Sequence, residues 1–153
     1  MAQQFYLADI AGTGHHVYIG AQTPDGHAAI YRAHFNASSG SLSMFPGSQL
    51  PLEASSAAAV FPESGAPWCA VSPRGTNLYA SIREGSELRH NYCASFAVDT
   101  ESGALVRLSS ESTVLAGSPH CVVDPAASML ISAHMSGAGV SVLPLEDNGA
   151  LRK

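Results

Sequence analysis

The side chains of this 153-residue sequence that could do chemistry are imidazoles, guanidiniums and a single indole. His120 opens the apolar run Cys121-Val122-Val123. An imidazole there could take a proton from water or a hydroxyl near neutral pH. His134 closes the next apolar run and could bind a ligand or relay a proton, or be only a surface-loop histidine. Arg83, Arg89 and His90 crowd one polar segment. The two guanidiniums could hold an anion through forked hydrogen bonds, although solvated loop charges would give the same pattern. Trp68 starts the run Trp68-Cys69-Ala70-Val71 and could stack on a ligand or simply pack beside a strand. His15-His16 reads as an exposed strand start. The three cysteines form no CxxC pair, which argues against a zinc site or a disulfide framework. Small buried thiols are the expectation, with no metal and no cofactor. No nucleophile elbow, phosphate loop or HExxH zinc motif is present.

These residues are positioned by a repeat. Pro67-Trp68-Cys69-Ala70-Val71-Ser72-Pro73 recurs without a gap, 52 residues on, as Pro119-His120-Cys121-Val122-Val123-Asp124-Pro125. At the same spacing Asn77-Leu78-Tyr79-Ala80-Ser81 faces Met129-Leu130-Ile131-Ser132-Ala133. Each copy reads as a short apolar strand, a Pro-containing turn and a second apolar strand. A further shared block follows, from Ser95 to Leu105 and again from Ser141 to Leu151. Its Asp or Asn and its Gly are the residues a tight hairpin turn requires. Residues 16–20 and 31–42 supply a third, less complete copy. Repeats of this length with about four short strands each are the pattern of propeller blades. The expected fold is all-β, a partial β-propeller of about two and a half to three four-stranded antiparallel blades, at roughly 1–60, 61–112 and 113–153.

Strands within such a blade alternate direction. The loop leading into the innermost strand therefore opens on the same face as the loop between strands two and three. That face is predicted to collect Trp68, Arg83, Arg89, His90, His120 and His134, with Asp25, His27, Glu84 and Glu87 beside them. The opposite face collects the turns at 72–77 and 99–103. A polar cluster around the central channel makes the first face the candidate binding site.

Composition narrows the partners. The formal charge is −5, and charged residues make up only 12% of the chain. That is about half the usual share, and no basic patch is available for nucleic acid or an anionic membrane. Gly 14 and Pro 9 suit many turns rather than a helical bundle. Residues 1–6 carry no basic start or apolar run, so a cytoplasmic location is expected.

The quoted blocks resemble the lactonase-type seven-bladed β-propellers, which include bacterial 6-phosphogluconolactonases and fungal carboxy-cis,cis-muconate cyclases. The resemblance rests on Val17-Tyr18-Ile19-Gly20, on residues 70–80 and 96–105, on Ser118-Pro119-His120 with Val123-Asp124-Pro125, and on Val140-Ser141-Val142. It implies hydrolysis of a sugar lactone, with His120 as the catalytic base. His134, Arg83, Arg89, His90 and Trp68 would then bind a small lactone or carboxylate. A cycloisomerase of the muconate type is the alternative, as is a truncated, non-catalytic propeller acting as a binding platform. Proteins of this family are more than twice as long, so open sheet edges and self-association are also expected.

Overall fold

The computed structural model describes residues 15–22, 28–44, 65–84, 90–113, 115, 120–135 and 137–152. Among them every regular element is a strand. β1 (His15–Gln22), β2 (Ala28–Asn36) and β3 (Ser41–Met44) form one sheet in that order. β4 (Gly65–Val71), β5 (Asn77–Glu84), β6 (His90–Val98) and β7 (Leu105–Thr113) form the second. β8 (His120–Val123), β9 (Met129–His134) and β10 (Gly139–Pro144) form the third, extended by a bridge between Leu145 and Leu151. All neighbouring pairs are antiparallel, the arrangement of a partial β-propeller.

The sequence repeat is a repeat of turns. After β4, Ser72 N–H donates to Asn77 O and Gly75 N–H to Ser72 O. After β8, Asp124 N–H donates to Met129 O and Ala127 N–H to Asp124 O. Gly75 has φ +71°, and its counterpart Ala127 adopts φ +54°, a conformation that strains a Cβ-bearing residue. The Asp124 carboxylate braces that turn by accepting from the N–H groups of Ala126, Ser128 and Met129. These bonds, that from Met129 foremost, hold its pKa below the ordinary carboxylate value.

Alternation along β5 explains how the sheets stack. Leu78, Ala80 and Ile82 join Tyr18, Ile30, Cys69, Ala94 and Phe96 in a core between the first and second sheets. Tyr79, on the other face, joins Cys93, Cys121, Val123, Leu130, Leu145 and Leu151 between the second and third. β7, the edge strand, exposes Val106, Ser110 and Ser112, but the middle sheet is otherwise buried on both sides through β5 and β6. The third sheet is not. Val122, Met129, Val140 and Val142 are exposed on its outer surface.

Hairpin tips fasten each sheet to the one before it. At the first junction His16 Nε2–H donates to Glu101 O at 3.1 Å, Tyr18 Oη to Gly103 O at 2.8 Å and Arg32 Nη1 to Ser102 O at 2.7 Å. At the second, Asn77 Nδ2 donates to Asn148 O at 2.9 Å and Leu151 N–H to Ser109 Oγ at 2.7 Å. His16, expected at an exposed strand start, is instead half-buried beneath this tip because the loop at 99–103 folds over it.

Candidate functional site

Two of the anticipated residues come together. Trp68 lies in β4 and His120 opens β8, and these strands run side by side, tied by Cys121 Sγ–H donating to Trp68 O at 3.6 Å. The indole and imidazole centroids are 4.8 Å apart with their planes tilted by 59°. Both rings border one groove of about 510 Å³, walled mainly by the apolar strand residues Ala70, Val71, Val122 and Val123. In the β8–β9 register His120 faces Ala133, and both are exposed. Its imidazole therefore stands at the groove mouth with access to water, the position a proton acceptor needs.

His134 is not part of that constellation. It follows Ala133 in β9, so alternation sends it to the opposite side of the sheet from His120, and it is only 5% exposed. The two histidines lie on opposite faces of one sheet because they are separated by an odd step in the pairing register. Burial pushes the His134 pKa below its ordinary value, and the Leu115 backbone opposes this in part. The native side chain is thus held neutral where the unfolded chain would already be charged. As pH falls below the ordinary histidine value near 6.5, the unfolded chain takes up the proton first. Stability contributed by neutral His134 is complete above that pH and lost as pH drops through the lowered native value. Urea midpoints should therefore fall between pH 7.5 and pH 5.5, and more gently in His134→Leu. A variant with the same pH slope as the parent would remove His134 as the source.

The remaining site residues are placed only by their backbone or not at all. Arg83 pairs with Gly65 and with Asn91, and His90 pairs with Glu84, so both stand at the end of the second sheet where β4 begins. Arg89, Asp25, His27 and Glu87 lie outside the described residues. At the other end of the sheets are the turns at 72–77, 99–103, 124–128 and 146–149.

The cysteines are no competing nucleophiles. Burial pushes the Cys69 thiol up to about 12 and Cys93 to about 11, and raises Cys121 as well. All three are protonated at neutral pH. Among the described residues no cluster of three or more His, Cys, Asp or Glu could hold a metal ion.

A second cavity, of about 350 Å³, was not anticipated. It lies at the turn end, between Arg74, Asn77, Tyr79, Ser128, Asp147 and Gly149. At the matching place between the first two sheets, His16 and Arg32 engage the hairpin. Asn77 and Ser95 occupy the equivalent register positions here, and these smaller side chains fill less of the space. That loss of volume could have been read from the aligned repeats.

Comparison with known proteins fits this architecture. No curated protein matches the sequence. Among solved structures, the periplasmic gluconolactonase PpgL of Pseudomonas aeruginosa is similar with a TM-score of 0.69 at 19% identity, covering 92% of this chain and 37% of that one. A protein of Bacteroides uniformis assigned as a 6-phosphogluconolactonase gives 0.66 at 25% identity, with 88% and 34% covered. Another so assigned, from Bacteroides fragilis, gives 0.65 at 20% identity, with 88% and 33% covered. The chain thus spans about a third of the length of these structures. Its residues 16–153 match the family described as lactonase, 7-bladed beta-propeller. The chain, in which successive antiparallel sheets are fastened tip to strand, belongs to that lactonase family.

Proposed function

We propose that this chain carries part of a lactone-hydrolysing site acting on a sugar lactone of the glucono-δ-lactone type, phosphorylated or not. The observation that supports the reading most is the exposed imidazole of His120 at the mouth of the groove between β4 and β8, beside Trp68. Family membership and the gluconolactonase assignments of similar structures agree with it.

In this reading His120 removes a proton as water attacks the lactone carbonyl. A tetrahedral oxyanion forms, the ring C–O bond breaks, and His120 returns the proton to the departing ring oxygen. The products are one carboxylic acid and one hydroxyl, and the acid then ionises, releasing to solvent the proton that balances the carboxylate charge. The oxyanion and any substrate phosphate need positive groups, and Arg83, Arg89 and His90 are the candidates this chain offers.

Titration of released acid at constant pH tests the proposal. The purified protein should open D-glucono-δ-lactone or its 6-phosphate well above the spontaneous rate, while leaving an acyclic ester of similar size untouched. A rate equal to spontaneous opening for both lactones would overturn it.

A further inference from the structure

We propose that Trp68 is the substrate-contact platform of this groove, taking the flat C–H face of a cyclic polyol while His120 addresses the reacting carbon. The inference deepens the lactonase reading and rests on it for the identity of the ligand. Three observations carry it. Trp68 is half-buried, so its ring is anchored yet not enclosed. It borders the same groove as His120. At a 59° tilt the two rings do not stack on each other, so the pair forms an angled corner rather than a closed sandwich.

The chemistry of the walls fits such a ligand. An indole face accommodates C–H groups and excludes water from them, while the ring hydroxyls stay toward water at the open mouth, since Val71, Val122 and Val123 offer them no hydrogen bonds. A δ-lactone ring is flattened at its carbonyl carbon, and opening destroys that flatness. Trp68 therefore favours the closed ring over the linear acid product. The anchoring is local: Trp68 O accepts the Cys121 thiol, so the platform and the strand that bears His120 move together.

Trp68 is the only tryptophan in the sequence, so its emission reports the site directly. The probe is D-glucono-δ-lactam, which keeps the ring and resists hydrolysis, with the linear acid D-gluconate as its comparison. Lactam should change the emission saturably, and gluconate should not. By calorimetry Trp68→Phe should bind lactam within a few-fold of the parent, and Trp68→Ala at least tenfold more weakly. In turnover Trp68→Ala should raise KM far more than it lowers kcat. Wild-type lactam affinity in Trp68→Ala, or calorimetric saturation with no change in emission, overturns the inference. So does an absence of lactam binding. If Trp68→Ala does not fold, Trp68→Phe and the emission titration decide. Lactone hydrolysis with an unchanged KM in Trp68→Ala would sink the platform and leave the lactonase reading standing. Lactam binding through Trp68 without any hydrolysis would do the reverse.

Discussion

Replacing His120 by alanine should lower lactone turnover by about 10²–10⁴-fold, the usual worth of a positioned general base. The side chain is exposed at the groove mouth, so little packing is lost with it. Its measurable structural contribution is the contact with Trp68, worth roughly 0.5–1.5 kcal/mol for an aromatic pair. Activity should therefore collapse while the denaturant midpoint moves only slightly. His120→Gln sharpens the test, since an amide keeps a hydrogen-bonding group but cannot accept the proton at neutral pH. It should be nearly as inactive as alanine, with KM close to the parent value. His134→Leu is the counter-case: buried on the other face of the sheet, His134 should matter to acid stability and much less to turnover. Substantial turnover in His120→Ala, or equal losses at both histidines, would remove His120 from the mechanism.

The contrast between these histidines marks how far the sequence can be read. Repeated blocks located the strands and turns, because Asp, Asn and Gly are needed wherever the backbone reverses tightly. Asn36 Oδ1 accepting from Ser38 and Ser39, and Asp99 Oδ1 accepting from Glu101 and Ser102, are the bonds those residue types promise. The aligned repeats likewise brought Trp68 and His120 beside each other on neighbouring strands, although β4 begins three residues before Trp68. What they did not decide was which side of a sheet each histidine takes. That depends on the His120–Ala133 pairing, and a single step in register exchanges the two faces. The exposed row Val122, Val140 and Val142 is a related case, since its alternation reads like a core strand. Periodicity shows that two faces differ, not which one another sheet covers. The role of His16 was hidden for another reason: its partner Glu101 lies 85 residues away, and no local pattern announces it.

Substituting Gly149 by alanine should destabilise the fold by about 2–4 kcal/mol, a large share of the 5–15 kcal/mol that holds an ordinary domain together. Two effects combine. Gly149 has φ +85°, where a Cβ is strained by about 1 kcal/mol or somewhat more. A methyl group there would also overlap the carboxamide of Asn77. Asn77 is 9% exposed and donates to Asn148 O, so moving aside breaks one of the bonds that fasten the third sheet to the second. Gly75 separates the two terms: it has φ +71° and nothing within 4 Å of an added Cβ, so Gly75→Ala should cost only the backbone strain. Gly103→Ala should resemble Gly149→Ala, because its methyl group would meet the His16 ring that bonds Glu101 O. A double-mutant cycle isolates the clash. In an Asn77→Ala background the obstructing carboxamide is gone, and Gly149→Ala should then cost no more than Gly75→Ala. Chemical denaturation of the four proteins in that cycle measures this directly. Equal costs of Gly149→Ala with and without Asn77 would mean that backbone strain alone, and not the tip-to-strand contact, demands glycine in these repeated hairpins.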